Sequence, residues 1–297
     1  MIKDGDRSER INMDYKKELA ELSAGNMTIH DETDPPYLSF PHLDRTGLVT
    51  DAFSTRLGGV SEGCFSSLNF GWGTADAREN IRENFLRMAA ALGTVPERMV
   101  TTKQTHTTNL RIVTEEDAGK GTVRERDYID VDGLITDLPN LMLVTYFADC
   151  VPLYFLDPVK KVIALSHSGW RGTAAKMGEV TVRRMQSEFG CDPGEILAGI
   201  GPSICRDCYE VDDTVYRGFS ESFAPEELAE MFTPGRPGKY QLDLWRANRL
   251  ILEEAGLKHG NIAVSGLCTA CHSSLLFSHR ASGGRRGLMC AFLALKS

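Results

Sequence analysis

The sequence predicts an α+β fold in which mixed β-sheets are flanked by helices. Three observations carry this. Short apolar runs rich in β-branched and aromatic residues outnumber the helical patterns. The helical patterns that do occur are long and one-sided. No internal repeat is present, and neither Gly-x-Gly-x-x-Gly after a strand nor Gly-Lys-Ser/Thr occurs, so the common nucleotide-binding folds lose first place.

At 297 residues, with 42% apolar and 25% charged residues, the chain can bury a large core. A net charge of −8 argues against nucleic acid held on a basic surface, while leaving room for a local basic pocket. No apolar run approaches the roughly 18 residues of a membrane span, and the charged N-terminus lacks the apolar centre of a signal peptide. A cytoplasmic location is the default expectation, and the eight cysteines are then thiols or metal ligands rather than disulfides. Residues 1–36 are dense in charge and read as an extension, with a helical turn or two over Met13–Leu22. Residues 37–297 read as the domain.

Within that domain, Leu48–Ser54 alternates as a strand and runs into Gly58-Gly59, where paired glycines permit close backbone approach. Ile81, Phe85, Met88, Ala89 and Leu92 share one helical face, stopped at Gly93. Met99–Thr102 and Leu110–Val113 read as strands, and Lys120–Asp130 as a charged loop. After Asp132-Gly133, Leu134–Thr136 leads to three buried runs, Leu141–Phe147, Val151–Leu156 and Val162–Ser166. Thr173 is positioned to cap a helix reaching Phe189 and ending at Gly190. Ile196–Ile200 is a strand, Ser220–Lys239 reads as a surface excursion, and Asp243 starts a helix that ends at Gly256. Ile262–Ser265 and Leu288–Leu295 complete the strands.

The chemistry concentrates in Leu141–Gly172. Its runs deliver Asp149-Cys150 and His167-Ser168-Gly169-Trp170-Arg171-Gly172 to the ends of buried strands. Cys150 and His167 are seventeen residues apart across a predicted hairpin, so they can meet. With His106 they would offer two nitrogens and one sulfur. That set leaves a fourth position open on tetrahedral Zn²⁺, the layout of a catalytic site. Copper accepts the same donors. The same residue types also suit a thiolate nucleophile, Cys150, activated by either histidine, or three unrelated residues. Cys205-x-x-Cys208 and Cys268-x-x-Cys271 could form a structural Cys₄ zinc site, or remain reduced thiols; the 59 residues between the pairs exceed a compact zinc ribbon. His272 and His279 are further donors nearby. Of Arg56, Arg171, Arg280, Arg285 and Arg286, Arg56 and Arg171 are the better anion contacts, because small residues and strand ends surround them.

A motif set runs through the chain in order: Ser54-Thr55-Arg56-x-Gly58-Gly59-Val60-Ser61, Gln104-x-His106, Asp132-Gly133, Ala148-Asp149-Cys150-x-Pro152, His167–Gly172, Gly201-Pro202-Ser203-Ile204 with Cys208-Tyr209-Glu210-Val211, and Cys268-Thr269 leading to Phe277-Ser278-His279-Arg280. From about Tyr37 to Ser297 it resembles the multicopper polyphenol oxidoreductase laccase family, whose members are also described as purine nucleoside phosphorylases. The resemblance implies a single-domain layered α/β sandwich related to cysteine-hydrolase-like toxin domains. It implies a metal, usually zinc, on His106, Cys150 and His167. It implies phosphorolysis of adenosine, inosine, guanosine or methylthioadenosine, and hydrolytic deamination of adenosine. Carried onto this chain, the reacting groups are Asp149, Cys150 and Arg171; the substrate and phosphate contacts are Arg56, Asn69, Gln104, Arg171 and Arg280. The partners are then a purine nucleoside and phosphate, with no nucleic acid and no membrane. Two positions depart from the pattern. Cys205 is off it, which weighs against the Cys₄ site, and His279-Arg280 stands where many relatives have Tyr-Arg. Three rivals remain open: a copper phenol oxidase, a metal-free cysteine hydrolase or amidase, and a non-catalytic purine or metal sensor.

Overall fold

The computed structural model describes residues 26–297. The Met13–Leu22 turn lies outside them. Two six-stranded mixed sheets stack face to face. The first runs β1 (Thr28–His30), β2 (Tyr37–Ser39), β3 (Val49–Ser54), β15 (Met289–Leu295), β7 (Met142–Phe147), β4 (Met99–Thr101). The second runs β14 (Ile262–Val264), β10 (Leu197–Ile200), β8 (Val151–Asp157), β9 (Val162–Ser168), β6 (Gly133–Thr136), β5 (Leu110–Ile112). Each has one parallel pair on the way out, β4 with β7 and β5 with β6, and the second also has β10 with β14. A small third sheet joins β11 (Glu210–Asp212), β13 (Lys239–Leu242) and β12 (Phe232–Pro234).

Strand alternation builds the layers. Along β15, Ala291, Leu293 and Leu295 face the second sheet, while Cys290, Phe292 and Ala294 face outward. Leu143, Phe147, Tyr154, Leu156, Ile163 and Leu165 complete the core between the sheets. Of the helices, α1 (Pro41–Asp44) is a single turn, and α2 (Arg78–Ala91) covers the outer face of the first sheet through Ile81, Phe85, Met88 and Ala89. After the short α3 (Trp170–Ala174), α4 (Met177–Phe189) packs on the second sheet through Val182 and Met185. Beyond α5 (Asp213–Ser220) and α6 (Pro225–Met231), α7 (Leu244–Glu254) joins that layer through Leu244, Ala247 and Ile251. The order is helix, sheet, sheet, helix: the layered mixed α+β architecture expected from the strand pattern.

Four differences have physical reasons. Residues 28–30 pair with β2, and Met27 is buried, so the ordered fold starts before Tyr37. Thr173 does not cap a helix: its hydroxyl donates to the Gly169 carbonyl inside α3, and a left-handed Lys176 (φ 55°) separates α3 from α4. The stretch expected as a surface excursion holds α6 and β12, whose Leu228, Met231 and Phe232 are buried against the outer face of the second sheet; prolines and glycines masked a one-sided pattern. Finally, β7 and β8 do not share a sheet. The chain crosses from one sheet to the other at Ala148–Cys150.

The Lys120–Asp130 loop is pinned electrostatically. Asp117, 1% exposed, receives Arg111 at 2.7 Å and Lys120 at 2.8 Å, and Lys120 also reaches Asp127 at 2.8 Å. Burial opposes ionisation of Asp117, but hydrogen bonds from Arg111 and Lys120 outweigh it and hold the carboxyl down to about 2. Asp117→Asn leaves Arg111 without its carboxylate and Lys120 with Asp127 alone; with Arg111 a third exposed, the loss expected is ~2–3 kcal/mol, below that of a fully buried pair. A depressed folded value means stability present above the ordinary carboxylate range and lost as pH falls towards about 2. Denaturant titrations across pH should therefore show the wild-type advantage over Asp117→Asn shrinking at the acid end; a pH-independent gap would contradict it.

Candidate metal centre and cavity

Two of the four crossings between the sheets carry a predicted ligand. His106 lies between β4 of the first sheet and β5 of the second, and Cys150 lies between β7 and β8. His167 belongs to β9, opposite Pro152 in the β8–β9 hairpin, which returns it to Cys150. One donor atom from each of the three lies within 4.8 Å of the others, and the two imidazole rings meet edge-on at 5.0 Å. His106 (φ 65°) and Asp149 (φ 84°) both sit in the left-handed region, a backbone cost that non-glycine residues bear where the surroundings dictate geometry.

Asp132 supplies that dictation. Fully buried, it takes the His167 Nδ1 at 2.8 Å and the backbone N–H groups of Thr105, His106 and Thr107 at 3.0, 3.0 and 3.1 Å, plus the Thr107 hydroxyl at 3.0 Å. Burial works against its charge, but the His167 and backbone hydrogen bonds prevail and bring its carboxyl down to about 2. Burial would likewise raise the Cys150 thiol; the adjacent His167 charge and hydrogen bonds to both histidines bring it down to about 6. His167 is raised to about 9: burial opposes its charge, and Cys150 and Asp132 overcome it.

The donor set fits a metal. Asp132 occupies one nitrogen of His167 and leaves the other to the Cys150 side, the usual outer-shell arrangement of a metal-binding histidine. The space between the donors is kept clear by Gly169, where a Cβ would come within 2.9 Å of Cys150 Sγ and 3.1 Å of His106 Cδ2.

The three line a cavity of about 600 Å³, within the range of small-molecule sites. Its aromatic wall is Trp72, Tyr146, Trp170 and Tyr209; its cations are Lys103, Arg126, Arg280 and Arg286; its one carboxylate is Asp149. In a chain of net charge −8 this is a local reversal of sign. The Nε of Arg286 is buried without a hydrogen-bond partner among the described residues.

The remaining candidates divide. Gln104 lines the cavity, with its amide committed to Tyr146 N (2.7 Å), Tyr146 O (2.8 Å) and the Thr102 hydroxyl (2.7 Å). Asp149 takes the Thr269 hydroxyl and the Arg280 N–H, each at 2.6 Å. Arg280 reaches the carbonyls of Cys208 and Glu210 at 3.2 and 3.0 Å. Asn69 is buried behind the lining, where its Oδ1 receives Gly71 N and Leu288 N, both at 2.9 Å. Arg171 is exposed, its guanidinium 4.3 Å over the Trp170 ring. Arg56 does not line the cavity: it donates to the Ser66 and Ser273 carbonyls at 2.8 Å and stacks on Phe277 at 4.4 Å. The residues that sequence reading undervalued are Asp132, quoted in the motif set but given no role, and Arg286, ranked below Arg56. Gly59 behaves as expected, since a Cβ there would meet Ser67 O at 2.1 Å. All four cysteines of the two Cys-x-x-Cys pairs converge, Cys205 included, contrary to the expectation drawn from its off-pattern position.

Residues 50–296 match the family described as multi-copper polyphenol oxidoreductase laccase. The chain belongs to that family. It is 39% identical over 249 residues to purine nucleoside phosphorylase YlmD of Bacillus subtilis, covering 84% of this chain and 89% of the relative. It is 31% identical over 239 residues (80% and 90%) to adenosine deaminase RL5 of an unknown prokaryotic organism. The crystal structure of Bacillus licheniformis hypothetical protein YfiH superposes with a TM-score of 0.84 at 38% identity, covering 88% of this chain and 96% of that one. Among the described residues no helix is long and apolar enough to cross a membrane.

Replacing Asp132 by Asn keeps the shape but removes the charge that faces His167 and the three N–H groups. Metal affinity should fall roughly 10- to 100-fold in competition titrations against a chelator, the usual consequence of losing such a partner. Unchanged affinity would show that the clasp does not orient the ligands.

Proposed function

We propose that this chain is a metal-dependent purine nucleoside phosphorylase that also deaminates adenosine, with zinc on His106, Cys150 and His167. One observation carries the reading: a two-histidine, one-cysteine donor set opens into a cavity that is aromatic on one part of its wall and cationic on another. The family and the names of the relatives support the same activities. A divalent ion on such a three-donor set supplies Lewis acidity and an acidified water. Trp72, Tyr146, Trp170 and Tyr209 offer faces on which a purine stacks. In this reading Arg286, with its unpaired Nε, and Arg126 and Lys103 form the seat for phosphate; their place in the lining, and the commitment of Arg56 to carbonyls outside it, support that choice. Arg280, tied to Tyr209 and to two carbonyls, holds the aromatic wall, and Arg171 braces Trp170 from outside. Asp149, the carboxylate of the lining, moves protons at the base or at the attacking oxygen.

A second reading has its own observation. Without a metal, Cys150, His167 and Asp132 form a thiol–imidazole–carboxylate series, with the thiol already brought down to about 6. That is the arrangement of a cysteine hydrolase, in keeping with the kinship to hydrolase-like domains proposed from the motifs. The copper-oxidase alternative finds less support: the described residues gather one His₂Cys and one Cys₄ group, not the clustered imidazoles of a multinuclear copper site.

Chromatography of adenosine incubated with and without phosphate separates these outcomes. The phosphorylase reading predicts adenine and ribose 1-phosphate only with phosphate, and inosine in either case. His106→Ala, Cys150→Ala and His167→Ala should each abolish both activities together with the one metal equivalent held by those three residues. Arg286→Ala should raise KM for phosphate roughly 10- to 100-fold, the loss of one or two charged hydrogen bonds, while deamination persists. Full turnover and full metal stoichiometry in Cys150→Ser would overturn the assignment.

A further inference from the structure

We propose that Cys205, Cys208, Cys268 and Cys271 form a second, structural metal site that binds a thiophilic divalent cation, zinc by its donor set, and staples two loops of the cavity wall. The site is independent of the catalytic reading above.

The four Sγ atoms all lie within 4.8 Å of one another, and those of Cys208 and Cys271 are 3.5 Å apart. Four sulfurs at about 2.3 Å from a tetrahedral zinc ion stand about 3.8 Å from each other, so the thiols already occupy a volume of the right size. A disulfide would need about 2.05 Å between two of them, and all eight cysteines are free thiols here. Backbone amides are aimed at the sulfur, as thiolate sites require. Cys268 Sγ accepts the N–H of Cys205 at 3.3 Å and of Cys271 at 3.4 Å, the second within a Cys-x-x-Cys turn. With four sulfurs and no open position, the set is closed, which marks a structural rather than a catalytic centre.

The long gap between the pairs is closed by topology. Strands β10 and β14 are parallel neighbours, so the loops that follow them leave the sheet at the same edge. Ser203 and Cys268 continue that parallel pairing as an isolated bridge, with Thr269 N reaching Ser203 O at 3.2 Å. Each pair adjoins a working residue. Cys208 precedes Tyr209 of the cavity wall, and its carbonyl accepts from Arg280. Cys268 precedes Thr269, whose hydroxyl holds Asp149. An ion here would fix the Tyr209 loop against the Thr269 loop without touching substrate.

Metal analysis of the purified full-length chain, produced with zinc, tests the site. The double variant Cys150→Ala/His167→Ala leaves the four-cysteine cluster intact and should retain one equivalent of zinc. Loaded with Co²⁺ instead, it should show the strong thiolate-to-cobalt charge-transfer band of a tetrathiolate. Cys208→Ser/Cys271→Ser should lose one equivalent relative to wild type. The Cys150→Ala/His167→Ala variant decides the question even where Cys208→Ser/Cys271→Ser fails to fold. No metal in that variant, or unchanged metal content in Cys208→Ser/Cys271→Ser, would overturn the proposal. So would a count of four rather than eight thiols in unreduced, chelated, denatured protein, which would mean two disulfides.

Discussion

The Asp132 carboxylate is the constraint on which the centre depends. It is buried, charged, and shared between two pieces of chain, the loop after β4 and the imidazole in β9. A buried charge is tolerated when every oxygen is satisfied, and here three N–H groups, one hydroxyl and one imidazole do so. The same contacts set the left-handed turn at His106 and the orientation of His167. Position and electrostatics therefore come from one group: it places two donors and, by holding charge on His167, draws the Cys150 thiol down.

The two-sheet architecture explains why such a clasp is needed. Each sheet is held by its own hydrogen bonds and by apolar layers on both faces, but two of the three donors, His106 and Cys150, sit where the chain leaves one sheet for the other. Cys150 is placed by the β7–β8 crossing and tied through the Asp149 backbone carbonyl to Ile204 at 3.0 Å. His106 is placed by the β4–β5 crossing. At the cavity floor Asp132 ties the β4–β5 crossing to His167, and Gln104 ties it to Tyr146 beside the β7–β8 crossing. The four-cysteine cluster is proposed to do the equivalent task beside the cavity, joining the loops after β10 and β14.

Most strands, helix α2 and helix α7 were legible because alternation and one-sidedness survive in the sequence, with Gly93 and Gly256 marking the ends at positive φ. The three candidate donors were legible as reactive side chains at the ends of apolar runs, and the structure brings them together. The assignment of β7 and β8 to different sheets was not, since two adjacent buried strands read alike whichever sheet they enter. Nor was Asp132 visible as a clasp, because its partners are backbone amides, which leave no sequence signature. Arg56 looked like an anion contact from its glycine-rich setting, yet that setting exists to let the backbone close on Ser67 while the guanidinium binds carbonyls. Arg286 stands in a glycine-rich stretch of its own, Gly283–Gly287, so the setting did not separate the two, and its place in the cavity does.

The most direct test is an anomalous-scattering map at the zinc edge from crystals of the zinc-loaded protein. A peak is predicted about 2.0–2.3 Å from one donor atom each of His106, Cys150 and His167, with Asp132 still bonded to His167 Nδ1. Zinc-loaded crystals with no peak among those three residues, or with His106 turned away from it, would contradict the account.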